Sequence, residues 1–228
     1  MSDYIHKLIA QGEHQHLDFK FEISDSRKIA RTLVAFANTE GGRLLVGVKD
    51  NGAIAGVRSE EEYYMVEAAA QLYCKPEIKF KTREWNVEGK VVLEVLVPKS
   101  KDVLYKAQLK GDDYKVFIRV DDKNILADRL LLSYRRLSGS LKTVNININK
   151  AEMQLFRMLS SGTPVTRDTF INQAAISRRN AEDILLNMML IGLIELKMNE
   201  KETYFTLRDE ALLNEINDKQ QLYKGKVI

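Results

Sequence analysis

Apolar and polar positions alternate along HQHLDFKFEI, residues 14–23: Leu17, Phe19, Phe21 and Ile23 on one side, His16, Asp18, Lys20 and Glu22 on the other. That period of two predicts a half-buried strand, with a short helix before it over Tyr4–Gln11. The next stretch, SDSRKIARTLVAFANTEGG, changes period. Ile29, Leu33, Phe36 and Ala37 form a helical stripe, Ser24, Asp25 and Ser26 are candidate N-caps, and Asn38 with Gly41-Gly42 supplies the stop. RLLVGVKD then reads as a strand, DNG as a turn and AIAGV as a second strand, which predicts a hairpin. A helix is expected over residues 59–72, its start marked by Glu60, Glu61 and Glu62. IKFKTREWNV, KVVLEVLVP and KVFIRV predict three further strands, and ADRLLLSYRRL a helix that closes the region.

After residue 138 the rhythm changes. SGSLKTVNININ reads as a linker with room for one short strand. KAEMQLFRMLSSG, TRDTFINQAA and SRRNAEDILLNMMLIG are helical, and LIELKMNEKETYFTL reads as two short strands joined by a polar turn. Helices followed by a β-ribbon within about 60 residues follow the order of a winged helix. The prediction is an α+β protein: a mixed or mostly antiparallel sheet domain over residues 1–138, a linker over 139–149, a small winged helix over 150–210 and a tail over 211–228. The tail reads as a helix fraying into a basic end. No internal repeat interrupts this order.

Composition narrows the chemistry. The chain has 228 residues, is 45% apolar and 29% charged, and carries a net charge of +3 from 35 basic and 32 acidic residues. That is an ordinary globular balance and does not demand a polyanion. One cysteine, Cys74, excludes a disulfide framework and a multi-cysteine zinc site. No apolar run approaches the length of a membrane span, and MSDYIHKLIAQGE has no secretory pattern. The expected location is the cytoplasm, with no membrane partner.

Five of the twelve glycines fall in FANTEGGRLLVGVKDNGAIAG, residues 36–56. A phosphate-binding loop requires G-x-x-x-x-G-K-[ST] between a strand and a helix. Here Gly41-Gly42 follows a helix and precedes a strand, and Gly47 is followed by Val48. The glycines therefore read as architecture, with Gly47 marking a bulge or the close approach of another backbone. ATP is not an expected cofactor.

Glu13 and the run Asp18-Phe19-Lys20, followed by AFANTEGGRLLVGVKDNGAIAGV, resemble the Schlafen/AlbA-type DNA-binding domain, also labelled divergent AAA; VPKSKDVLYKA and KVFIRV extend the likeness over residues 5–135. The resemblance implies a nucleic-acid-binding protein, and bacterial members of the family often join this domain to a helix-turn-helix segment. Some animal Schlafen cores are endoribonucleases that use three acidic residues. The matching positions here are Glu13, Asp18 and Asp50, with Asp18 standing where the family more often has a glutamate. The family's zinc-binding cysteines and histidine are absent. Those cores pair two such lobes, and a homodimer of this chain would restore the pair.

Several candidate sites follow, each with a plainer alternative. Glu13, Asp18 and Asp50 would hold Mg²⁺ or Mn²⁺ for phosphodiester cleavage if they converged; otherwise Asp50 is a turn residue and the other two are solvated or ion-paired. His14, His16 and Asp18 would share one strand face and bind a transition metal, or form a polar exposed face. Lys79, Lys81 and Arg83 at period two, with Lys20, Arg119, Arg135 and Arg136, would make a basic surface for phosphates or a solubilising one. Trp85 stacks on a base or belongs to a core. Ser177 is a candidate N-cap, and Arg178, Arg179 and Asn180 behind it suit guanine, phosphate and adenine contacts. The stripe Ala181, Ile184, Leu185, Met188 and Met189 would pack inward. Against DNA binding, residues 139–228 hold 12 basic and 11 acidic residues, and the polar turn MNEKET carries two glutamates. The leading expectation is a DNA-binding transcriptional regulator, DNA favoured over RNA. A metal-dependent nuclease is the first alternative, and a protein-interaction or dimerisation module the second.

Overall fold

The structure is a computed structural model that describes residues 2–57, 60–138, 148–211 and 214. Nearly all of the expected linker over 139–149, including its short strand, and most of the tail from 211 lie outside the described residues. The chain divides into two units between Ala127 and Asp128.

The first unit runs α1 (Ser2–Ile9), β1 (Leu17–Lys20), α2 (Ser26–Asn38), β2 (Gly42–Val46), α3 (Glu61–Leu72), β3 (Cys74–Lys75), β4 (Lys81–Val87), β5 (Lys90–Val97), β6 (Lys106–Lys110), β7 (Asp113–Lys115), β8 (Phe117–Val120) and β9 (Lys123–Leu126). Its main sheet has the order β1-β2-β5-β4, with β3-β6-β7 and β8-β9 as smaller sheets. β1 is parallel to β2 and the other pairs of the main sheet are antiparallel. Parallel neighbours need a crossover, and α2 supplies it. Asp25 caps α2 by accepting from the Arg27 N–H at 2.9 Å. At the other end Gly41, at φ +75, donates its N–H to the Phe36 carbonyl at 2.8 Å, a left-handed cap that glycine adopts without strain.

The two faces of the main sheet are covered unequally. On one, Leu44, Val46, Leu93, Val95 and Val97 pack with Leu33 and Phe36 of α2 and Val66 of α3. On the other, Leu17, Phe19, Leu45, Trp85, Val87 and Val92 pack against Ile5 and Leu8 of α1. α1 is eight residues long and shields only part of that face.

Two local expectations are corrected. The strand at 14–23 shortens to the four residues of β1, and Asp18 is not on a solvent face: it is 4% exposed. The hairpin through AIAGV reduces to a single bridge, Val48 to Ile54. Close backbone packing at Gly47 replaces a second ladder. At φ +92, its carbonyl accepts from the Ala55 and Gly56 N–H groups at 2.8 and 2.9 Å, and a Cβ there would lie 2.8 Å from the Gly56 carbonyl carbon.

Asp18 is buried because Arg119, on β8, comes to meet it. Arg119 is 2% exposed. Its Nη2 donates to Asp18 Oδ1 at 3.3 Å and to the Leu17 carbonyl at 3.2 Å, and Nη1 donates to Asn124 Oδ1 at 3.0 Å. Asn124 in turn donates to Thr32 Oγ1 of α2 at 2.8 Å, and the Arg119 N–H donates to Thr39 Oγ1 at 2.9 Å. Lys20 adds a second cation 3.2 Å from Asp18. Asn38, expected only to stop α2, donates to the Tyr105 and Phe117 carbonyls at 2.9 Å each. These bonds fasten β8 and β9 to β1 and α2.

The second unit holds α4 (Arg129–Ser138), α5 (Lys150–Ser160), β10 (Val165–Thr166), α6 (Arg167–Ala174), α7 (Arg178–Leu190), β11 (Ile194–Met198) and β12 (Thr203–Leu207). Its sheet has the order β10-β12-β11 and is antiparallel throughout. Asn149 and Glu152 form a reciprocal capping box at the start of α5, and Thr166 caps α6. The core joins Leu155, Phe156, Phe170, Leu185 and Phe205. α4, expected to close the first domain, contributes Leu130 to this core instead, with Tyr134 packed beside it. Asp128 fixes its start, accepting from the Leu130 N–H at 2.8 Å and from Arg167 Nη2 at 2.9 Å.

Two outcomes follow for stability. Arg119→Ala leaves Asp18 with Lys20 alone in a buried setting, and urea unfolding is expected to register a loss of about 3–5 kcal/mol. Arg119→Lys recovers only part of it, because one ammonium cannot reach the positions of a planar fork. A loss below about 1 kcal/mol for the alanine variant would contradict the role assigned to this pair. Gly47→Ala is expected to lose about 1–3 kcal/mol from left-handed strain alone, with more from the clash. Gly89→Ala, at φ +77 with nothing within 4 Å of the added carbon, loses less in the same measurement.

Candidate nucleic-acid interface

Two surfaces carry the cationic side chains singled out in the sequence. The first is the leading end of α7. Ser177 caps the helix, accepting from the Asn180 N–H at 3.3 Å. Arg178, Arg179 and Asn180 are all exposed, whereas Ala181, Ile184, Leu185, Met188 and Met189 are buried. The helix is thus anchored along one stripe, and its first turn projects. Arg178 Nε lies 3.2 Å from Glu182 Oε1, an exposed pair of one helical turn, and such pairs are weak. Cations in a first turn oppose the helix dipole. α5 and α6 have an acidic residue there and α7 has none.

The second surface is the part of the first unit's sheet that α1 leaves open. Arg83 lies opposite Glu94 and Lys81 opposite Leu96 across the β4–β5 ladder. Arg43 of β2 lies opposite Leu96 on the other side. With Tyr4 of α1 and Trp85 they line a groove of about 590 Å³. Its floor is organised around the buried Glu94 carboxylate. Tyr4 Oη donates to Oε1 at 2.8 Å, Arg43 Nε donates to Oε1 at 3.1 Å, and Trp85 Nε1 donates to Oε2 at 2.8 Å. The Tyr4 and Trp85 rings lie 4.6 Å apart, and the Arg83 guanidinium sits 4.1 Å over the Trp85 ring. Burial, and then the hydrogen bond to Glu94, push the Tyr4 hydroxyl above its ordinary range.

The other predicted positions scatter. Lys79 precedes β4 and lies 3.4 Å from Glu77 on the surface, so the basic period of two holds in the strand only for Lys81 and Arg83. Arg119 cannot contact a phosphate: its guanidinium is buried against Asp18, which corrects its assignment to the binding surface. Lys20 is half-buried between Asp18 and Glu13, at 3.2 and 3.9 Å. Arg135 and Arg136 lie in the last turn of α4, in the second unit.

The three-carboxylate site is also corrected. Glu13 Oε1 accepts from the Phe19 N–H at 2.8 Å. Its burial and the neighbouring Asp18 push its carboxyl above the ordinary range, with the Phe19 N–H and Lys20 pulling the other way. Asp18 is committed to Arg119 and Lys20. Asp50 is exposed in the turn after Lys49. Among the described residues no group of three or more His, Cys, Asp or Glu is placed to hold a metal ion. The residues therefore do not fit Mg²⁺ or Mn²⁺, nor do His14, His16 and Asp18 form a transition-metal site. Burial and the charges of His16 and Arg119 hold His14 below its usual range.

Arg43, Tyr4 and Glu94 were not singled out in the sequence. Arg43 stands alone after Gly42 and Tyr4 belongs to a short helix. A glutamate inside the apolar run KVVLEVLV was the one available signal, since a charge in such a run needs partners.

Among the described residues no helix is long and apolar enough to cross a membrane. Two of the solved structures similar to the chain illustrate the likeness. One is the crystal structure of the DIP2311 protein from Corynebacterium diphtheriae, 13% identical with a TM-score of 0.47, covering 97% of this chain and 53% of that one. The chain thus spans about half the length of that protein. The other is the solution NMR structure of the N-terminal domain of a protein from Nitrosomonas europaea named as related to the ATP-dependent DNA helicase RecG. It is 24% identical with a TM-score of 0.36, covering 56% of this chain and 94% of that one. The family model described as Schlafen, AlbA_2 matches residues 13–128, just over half of the 228. The chain belongs to the Schlafen, AlbA_2 family, which is associated with nucleic-acid binding.

Proposed function

We propose that the chain is a DNA-binding regulator whose second unit acts as a winged helix, with α7 entering the major groove. The observation that carries this reading is the projecting first turn of α7, which presents Arg178, Arg179 and Asn180 to solvent above a buried stripe. Arginine makes paired hydrogen bonds to guanine O6 and N7, and asparagine to adenine N6 and N7, in that groove. A phosphate or base edge also removes the unfavourable meeting of two cations with a helix N-terminus. Release of Arg178 from its exposed pair with Glu182 costs little.

The ribbon of β11 and β12 takes the place of the wing. Its turn holds Glu200, Lys201 and Glu202, so it adds little attraction for phosphates, and affinity rests on α7. The family's association with nucleic acid supports the reading from the side of the first unit. A nuclease is not favoured, since the carboxylates it needs are not assembled.

The test is a gel shift of full-length protein with duplex DNA from a selected pool. Each base-edge contact is worth about 1–3 kcal/mol. Arg178→Ala/Arg179→Ala is therefore expected to weaken binding at least tenfold, an expectation on the order of 1.4 kcal/mol, with helical circular dichroism unchanged. Wild-type affinity in that variant would overturn the assignment of α7.

A further inference from the structure

We infer that the groove between α1 and strands β2, β5 and β4 of the first unit holds an unpaired base of a single-stranded nucleic acid. This site is separate from α7 and does not rest on the duplex-DNA reading.

Charge argues for a polyanion. Arg43, Lys81 and Arg83 face one carboxylate, Glu94. Glu94 already accepts from Tyr4, Arg43 and Trp85, so its charge is answered from within the protein. Among the described residues neither Lys81 nor Arg83 has a carboxylate partner within 4.0 Å. Arg83 lies opposite Glu94 in the ladder and yet stacks on Trp85.

Shape argues for a base rather than a phosphate alone. The Arg83 guanidinium is backed by the indole of Trp85, which is 8% exposed and braced by Tyr4. An arginine plane held in this way is a stacking platform for an unpaired base. Leu96, 37% exposed at the same groove, offers apolar contact to a sugar. The volume of about 590 Å³ lies within the range of roughly 300–1,000 Å³ found for single-ligand sites. A base inside a duplex is stacked on both sides and cannot enter. Arg43 and Lys81 flank the platform, so the strand's phosphates run across it.

Trp85 is the chain's one tryptophan, so its emission reports this groove directly. The experiment titrates full-length protein with a twelve-residue thymidine deoxyoligonucleotide, its uridine ribo-counterpart, an abasic strand of equal length and a duplex. Quenching by one or both base-bearing single strands, and little by the abasic strand or the duplex, is expected; the stronger of the two identifies the sugar. Arg83→Ala is expected to weaken the response roughly fivefold or more. Lys81→Glu, on the exposed strand edge, is expected to weaken it too and to flatten the log–log salt dependence by at least about 0.7; it provides the comparison if Arg83→Ala fails to fold. The Arg178→Ala/Arg179→Ala variant keeps the quench, which separates failure of this inference from failure of the α7 assignment. Unchanged emission at saturating oligonucleotide, equal quenching by the abasic strand, or wild-type affinity in Lys81→Glu would each overturn it.

Discussion

A guanidinium removed from water costs free energy that its charge pair and hydrogen bonds must offset, and the first unit is arranged around that requirement at Arg119. Its Nη1 and Nη2 are bonded, while its buried Nε meets no acceptor among the described residues. Its partners come from separate stretches of chain: Asp18 and the Leu17 carbonyl from β1, Asn124 from β9 and, through Asn124, Thr32 from α2. Each partner also belongs to an element that must be in place for the fork to close. The pair thus fixes where β8 and β9 sit against the β1–α2 crossover. Both Asp18 oxygens are engaged, Oδ1 with Arg119 and Oδ2 with Lys20. A carboxylate held by two cations has little lone-pair capacity left for a metal ion, and burial with the neighbouring Asp18 pushes the Glu13 carboxyl above its ordinary range. The same charges that suggest a nuclease in sequence act as a clasp in the fold.

Unequal covering of the main sheet follows from element lengths. α2, at thirteen residues, and α3, at twelve, cover one face, while α1 has eight for the other. An uncovered apolar face would invite aggregation. Here the uncovered end is instead occupied by Arg43, Lys81 and Arg83, with Glu94 below them. β4 is an edge strand, and charge on an edge strand also discourages pairing with another chain. The same side chains therefore limit exposed apolar surface and shape the groove.

Sequence patterns captured elements whose signals are local. α2 carried its cap at Asp25, its stripe and its glycine stop within eighteen residues, and α7 carried Ser177 and an apolar stripe. β3, β6, β7 and β9 were missed because they are two to five residues long and not strongly alternating. Asp18 reads in sequence as metal-binding, solvated or ion-paired, and its pair with Lys20 is present. Its burial is not legible there, because period two is a rule about half-buried strands. β1 is four residues of parallel strand, and the partner that allows its charge to be buried lies 101 residues away. No local pattern contains that information. The candidate sites divide likewise. Lys81 and Arg83 were legible from their spacing and α7 from its capping, but Arg43, Tyr4 and Glu94 meet only through the sheet register and the docking of α1.

Net charge alone would have argued against a nucleic-acid partner, since +3 over 228 residues is nearly neutral. Distribution matters more than the sum. Several surface cations have an acidic neighbour: Lys7 with Asp3, Lys79 with Glu77, Lys99 with Glu40 and Lys115 with Asp113. Lys81 and Arg83 at the groove, and Arg179 at the first turn of α7, have no carboxylate within 4.0 Å among the described residues. Desolvated phosphates are strong partners for such cations, and released counterions add to the affinity. A chain with a modest total can still bring cations together locally, Lys81 and Arg83 beside Arg43 at the groove and Arg178 beside Arg179 at the first turn of α7.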